Sequence, residues 1–108
     1  MHIVCKCLNV SIKSRGTELR DVNIDDFELS PQELAEPFFH ENLAAIPELE
    51  GITKEQPGLV EVKNVGSWII HRCYNCSMYT HAVHKEHGAA LVLINTNIVF
   101  PNYLVMYK

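Results

Sequence analysis

A chain of 108 residues is long enough for one hydrophobic core and too short for two. Its 47% hydrophobic and 20% charged content excludes wholesale disorder, and no apolar run approaches the ~20 residues of a membrane span. The net charge of −4 conceals an acidic stretch: residues 18–55 hold eleven acids against Arg20 and Lys54, a balance of −9, leaving the remainder at +5. That distribution argues against nucleic acid as a partner and reads first as a solvated acidic face.

From the N-terminus, Ile3 to Ile12 predicts a strand pair or one bent strand, with Val10 and Ile12 alternating against Ser11 and Lys13. Ser14-Arg15-Gly16 is a turn signal. The opening Met-His-Ile-Val-Cys-Lys-Cys has neither a basic n-region nor a continuous apolar h-region. It predicts an intracellular protein, cytoplasmic or nuclear, whose thiols stay reduced. Residues of about 18–57 read as an acidic insert of short helices and loop. Within it, Ser30-Pro31-Gln32-Glu33 is a helix start, with Ser30 as N-cap, Pro31 at the first helical position and Glu33 closing a capping box. Pro37 limits that helix to about one and a half turns, unless a second helix runs from Pro37 through Ala45. Leu34, Phe38, Phe39, Leu43 and Ile46 supply the insert's packing, and Pro47, Gly51, Pro57 and Gly58 punctuate its exit.

From Leu59 the pattern is β. Leu59–Val62, Ser67–Arg72, Met78–Val83 and Ala89–Asn95 read as strands, followed by Ile98–Phe100 and Tyr103–Tyr107. Turns fall at Asn95-Thr96-Asn97 and Pro101-Asn102. The expected fold is mainly β: a single small antiparallel domain over 1–108 with a partly helical acidic insert.

The four cysteines fall in two short-spaced pairs, Cys5-x-Cys7 and Cys73-x-x-Cys76, separated by 65 residues. Zn²⁺ takes four soft ligands in a tetrahedron with Zn–S near ~2.3 Å, and two tight knuckles supply them. One structural Zn²⁺ held by Cys5, Cys7, Cys73 and Cys76 would join the first strand to a late hairpin and couple metal binding to folding. Three rival readings exist. Scattered buried cysteines would show no pairing, and disulfides need an oxidising compartment. A redox Cys-x-x-Cys belongs between a strand and a helix start, whereas Cys73 and Cys76 lie between two predicted strands.

Cys5-Lys6-Cys7-Leu8-Asn9-Val10-Ser11-Ile12 resembles the opening Cys-x-Cys-x-x-Val strand of the glutathione-dependent formaldehyde-activating enzyme family, which includes centromere protein V. Arg72-Cys73-Tyr74-Asn75-Cys76-Ser77-Met78-Tyr79-Thr80 is similar to that family's late Cys-x-x-Cys hairpin. The resemblance implies a tent-like β fold in which the two pairs form a structural zinc site between two sheets. Yippee-like proteins, B-type methionine sulfoxide reductases and a Rab-binding exchange factor share that architecture. Formaldehyde-activating enzymes carry a further central Cys-x-Cys-x-x-Cys group, and the reductases a nucleophilic cysteine beyond the four ligands. This chain has no cysteine between Cys7 and Cys73 and none to spare. The glycine that usually follows each pair's second cysteine is replaced by Leu8 and Ser77, which shifts the demand for positive φ onto Asn9 and Asn75.

His81-x-x-His84-x-x-His87 has metal-like spacing. On a strand, His81 and His87 would face one side and His84 the other; on a helix all three would share a face. Flanking Lys85, Glu86 and Gly88 read as a turn, which favours a solvated loop over a second metal site. His71 is a candidate donor to a thiolate, or a half-buried strand residue. Trp68 and Tyr79 read as core packing. No phosphate loop, Ser/His/Asp set or paired carboxylate motif is present.

The resulting functional expectation is a non-catalytic, zinc-stabilised interaction or scaffold module with another protein as its partner. Phe38, Phe39 and Leu43 of the insert are the candidate interaction surface, against the plainer reading that they close the insert onto the β body. The alternative is a diverged enzyme acting on a glutathione adduct through His81 or His84 and a second metal.

Overall fold

The computed structural model describes residues 1–16, 18–46 and 48–98. Among the described residues nine strands form two antiparallel sheets: β1 (His2–Val4), β2 (Val10–Ser14), β3 (Arg20–Asp21), β4 (Leu43–Ala45), β5 (Leu49–Lys54), β6 (Val60–Val65), β7 (Trp68–Cys73), β8 (Met78–His84) and β9 (Gly88–Asn95). The smaller sheet has the order β1-β2-β5 and the larger the order β3-β4-β9-β8-β7-β6. Among the described residues there are also one short helix, α1 (Pro31–Leu34), and several 3-10 turns.

The late strands follow their alternation. Val65 pairs with Trp68 across a two-residue turn, and Gly66 takes φ +57°, the left-handed value such a turn needs. A bulge between His71 and Arg72 leaves Thr80 without a partner, since Arg72 pairs with Tyr79 and His71 with His81. The extra residue resets the pleat, so Thr80, His81 and Ala82 are buried in succession.

The acidic stretch departs from expectation in an instructive way. Its helix forms as predicted: the Ser30 hydroxyl accepts the Glu33 N–H while the Glu33 carboxylate accepts the Ser30 N–H. A second helix through Ala45 does not form. Pro37–His40 is a single 3-10 turn, and Leu43–Ala45 instead pairs with β9 through Leu43–Asn95, Ala44–Ile94 and Ala45–Leu93. Leu49–Lys54 pairs with β2. Ala44 and Ile46 are buried, so sheet pairing outweighs the helix preference of two alanines. The stretch therefore builds both sheets. Of the strands expected near the C-terminus, Ile98 ends a 3-10 turn, while residues 99–108 lie outside the described residues.

Adjacent residues of the larger sheet face different cores. Ile94 packs with Ile3, Cys5, Val10, Ile12 and Cys73 beneath the smaller sheet. Leu93 packs with Phe38, Phe39, Trp68, Ile70 and Ala82 on the opposite face. The larger sheet is thus the middle layer, roofed on one side by β1-β2-β5 and on the other by residues of the acidic stretch. Phe38 and Phe39 are 0% and 3% exposed, edge-on to each other and to Tyr79 and Trp68. They close the acidic stretch onto the sheet, which corrects their candidacy as an interaction surface. Leu43 is half-buried, and Leu34, expected inside, is exposed.

Candidate metal centre

Cys5 and Cys7 lie in the tight connection between β1 and β2; Cys73 ends β7, and Cys76 lies in the turn to β8. Each connection folds back on itself for a local reason. Leu8 N–H donates to the Cys5 carbonyl at 2.9 Å, and Cys5 N–H to the Val10 carbonyl at 3.0 Å. Tyr74 N–H donates to the Leu59 carbonyl at 2.8 Å, holding the second turn against the segment before β6. The left-handed residues are Leu8 (φ 65°) and Ser77 (φ 60°), not Asn9 and Asn75. A non-glycine residue there costs about 1–2 kcal/mol, sustained only where the surroundings dictate the geometry.

The four sulfurs converge: all lie within 4.8 Å of one another, with Cys5–Cys7 at 3.4 Å and Cys7–Cys73 at 3.3 Å. A tetrahedral ion with metal–sulfur bonds of ~2.3 Å needs sulfurs about 3.8 Å apart, so the cluster fits one. Its amides are aimed accordingly. Val10 N–H donates to Cys5 Sγ at 3.4 Å, and the backbone amides of Asn9 and Met78 serve Cys7 and Cys76, each two residues on. Burial pushes the Cys5 thiol up to about 12 and raises Cys76. For Cys7 burial acts the same way but is outweighed by the Asn9 amide and by hydrogen bonds from Cys73 and Cys5, bringing it down to about 7. Four thiolates in this space therefore need a cation. The donor set matches a thiophilic ion and supplies all four positions of a tetrahedron.

Asn9, expected only to take a positive φ, contributes through its side chain instead. It is buried; its Oδ1 accepts the Gln56 N–H at 2.6 Å, while its Nδ2 donates to the Gln56 carbonyl at 3.2 Å and approaches Cys73 Sγ at 4.0 Å. One side chain thus ties the knuckle to the segment after β5 and helps satisfy a thiolate. Only an asparagine's paired donor and acceptor would have hinted at it.

The histidines do not converge. Among the described residues no group of three ligands includes them. His81 is buried in β8 rather than in a solvated loop, its ring stacked 4.1 Å from His71 at 12°. The Thr80 hydroxyl bridges the His71 carbonyl at 3.4 Å and His81 Nδ1 at 2.8 Å. His71 lies against that ring, with its Nδ1 buried and without a hydrogen-bond partner among the described residues. Burial, then the Lys54 charge, lowers His71 to about 4; burial, His71 and Lys54 hold His81 well below 6.5. His84 stands edge-on to Trp68 at 5.0 Å, and its Nδ1 accepts the turn amides of Glu86 and His87. Only His87 occupies the predicted turn as an exposed residue.

No family model matches the chain, and no curated protein matches it. The crystal structure of a Rhodobacter sphaeroides protein is similar over 96% of this chain and 94% of that one, at 18% identity and a TM-score of 0.52. That likeness is one of fold. Among the described residues no helix is long and apolar enough to cross a membrane.

Proposed function

We propose that the protein is a non-catalytic interaction or scaffold module of a reducing intracellular compartment, stapled by one structural Zn²⁺ on Cys5, Cys7, Cys73 and Cys76. The convergence of all four cysteines within 4.8 Å carries the reading, since it commits every thiol of the chain to one site. Zinc is favoured among thiophilic ions because a closed tetrahedron of four protein sulfurs is its structural mode, with no position left for water or substrate. The metal's contribution is mechanical. It would pin the β1–β2 connection to the β7–β8 turn, and so the smaller sheet to the larger, at the end of a long chain closure.

The left-handed Leu8 and Ser77 support kinship with the tent-like zinc folds that the cysteine motifs resemble. A diverged enzyme acting on a glutathione adduct is the weaker reading, because His81 is sealed in the sheet and His84 is engaged by Trp68 and its own turn. Elemental analysis of protein purified under reducing conditions tests the proposal. One zinc per chain, released by a thiol-modifying reagent with loss of structure, is the expected result, together with no turnover of a glutathione–formaldehyde adduct. Metal-free, disulfide-bonded protein that remains folded would overturn the staple, and turnover would overturn the non-catalytic role.

A further inference from the structure

An open groove of about 830 Å³ runs beside β3, between the segment 21–24, the end of α1 and the segment 39–43. The clefts beside His84 and beside the cysteine knuckle hold about 280 and 210 Å³, so this concavity is roughly three to four times their size. Its lining includes apolar side chains that pack against the core with one side and border the groove with the other. Val22, Ile24 and Leu43 are half-buried there, and Leu34 is 44% exposed. A single exposed leucine needs no explanation. Here exposed Leu34 is joined around one concavity by the half-buried edges of Val22, Ile24 and Leu43, which together give the groove an apolar floor among its polar residues. The floor is braced: the His40 ring bonds the Leu34 carbonyl, joining α1 to the 3-10 turn that carries Phe39.

Charge sets the character of whatever binds. Asp21 and Glu41 line the groove, exposed Asp25 and Asp26 follow in the next turn, and no lysine or arginine contributes to the lining. The Glu41 carboxylate is already aimed, accepting the Asn97 Nδ2–H at 2.6 Å. The segment 18–28 that borders the groove holds Glu18, Asp21, Asp25, Asp26 and Glu28 against Arg20, so the local charge is negative. Shape follows from the sheet. β3 is the outermost strand of the larger sheet, and among the described residues no strand pairs with its outer side. β3 is only Arg20–Asp21, so an extended chain beside it would meet the main-chain groups of those two residues on one side and the side chains lining the groove on the other.

We propose that this groove docks an extended, cationic segment of a partner protein, with Val, Ile or Leu side chains seated among Val22, Ile24, Leu34 and Leu43 and Lys or Arg side chains facing Asp21 and Glu41. The inference rests on reading the protein as an interaction module and names the chemistry of its partner. The apolar contacts hold the segment, while the acids select its charge and speed its arrival.

Panning a phage-displayed library of random dodecapeptides on the full metal-loaded chain tests it, followed by anisotropy titrations with one recovered peptide. Recovered sequences are expected to place Lys or Arg beside aliphatic residues. Affinity should fall about tenfold or more in Leu34→Arg and in the double variant Asp21→Lys/Glu41→Lys, and should weaken with added salt. Glu86→Lys, in the distant β8–β9 turn, should bind as the parent does. Leu34 and Asp21 are exposed, so those variants should keep their melting temperature; if Leu34→Arg does not, the double charge reversal decides alone. The proposal is overturned by acidic or featureless recovered sequences, by no recovery above background, or by binding that ignores both groove variants. It is also overturned by a concentration-dependent dimer that Leu34→Arg abolishes, since the occupant is then a second copy. Each of these outcomes leaves metal content untouched, so failure here is distinct from failure of the staple.

Discussion

Glu33 reaches from α1 to accept the backbone N–H of Ser67 at 2.9 Å, and the same carboxylate accepts the Ser30 N–H at 2.7 Å. One acid thereby closes its own helix and fastens that helix to the β6–β7 hairpin. The contact depends on Gly66, where any Cβ would lie 2.6 Å from the Glu33 carboxyl. Burial pushes the Glu33 carboxyl up, but the Ser30 and Ser67 amides and the Ser30 hydroxyl outweigh it, leaving the group below its usual 4.5. A depressed folded-state value means Glu33 contributes stability above pH 4.5 and loses it as pH falls through that range. Glu33→Ala should therefore cost about 1–3 kcal/mol in urea melts at neutral pH. The gap from the parent should narrow in acid below pH 4.5; a constant gap would make the loss one of packing alone.

Leu8 and Ser77 hold left-handed backbone, and Leu8 is 64% exposed, so its side chain contributes little packing. Glycine would relieve the strain at either position, against a higher entropy in the unfolded chain. Leu8→Gly and Ser77→Gly should each raise stability by about 0.5–1 kcal/mol, while Leu8→Ala should not. If both glycine variants are destabilised in thermal melts, the left-handed turns are not costly here.

Phe39 is 3% exposed against Trp68 and Phe38, so Phe39→Ala should cost about 3–5 kcal/mol and Phe39→Asp should not fold. A soluble Phe39→Asp chain with an unchanged melting temperature would return that ring to the surface.

What was legible beforehand follows a physical line. The cysteine pairs, the capping box at Ser30 and the strands from Leu59 onward are local signals, fixed by spacing and alternation over a few residues. Leu43–Ala45 and Leu49–Lys54 look like insert in the sequence because their strand character comes from partners far along the chain, Leu93–Asn95 and Val10–Ser14. The burial of His81 is hidden for a related reason. The bulge at Thr80 resets the face it occupies, and nothing in His-x-x-His-x-x-His announces a bulge. Asn9 is invisible because its partner, Gln56, lies 47 residues away.

Buried His81 gives the domain a second acid sensitivity, separable from that of Glu33. Its ring faces His71 and feels Lys54, and burial first, then its coupling to His71 and the Lys54 charge, keeps it neutral well below 6.5. In the unfolded chain it protonates near 6.5, so the unfolded state binds the extra proton and stability falls as pH drops below that value. Each such group contributes a slope of at most about 1.4 kcal/mol per pH unit. His81→Leu should flatten the stability profile between neutrality and the range where Glu33 titrates. His71, lowered to about 4, keeps its own share of the slope, so the flattening is partial; no flattening at all would show that His81 is protonated in the fold.

Cys73 and His84 lie near opposite ends of paired strands and should differ sharply on mutation. Cys73 is 0% exposed, packs in the core beneath the smaller sheet and supplies one of four converging sulfurs. Its replacement by serine removes a soft ligand and leaves a hydroxyl among three crowded thiols. Metal affinity coupled to folding is then lost with it, so Cys73→Ser should abolish zinc retention and cooperative unfolding together. His84 contributes one edge-to-face contact with Trp68 and accepts two turn amides. His84→Ala should therefore cost about 1–2 kcal/mol and keep its full complement of metal. Chelation of the parent protein should reproduce the Cys73→Ser melt and leave the histidine variant's deficit unexplained. Equal shifts in both variants, with metal lost from both, would place His84 in the metal's support after all.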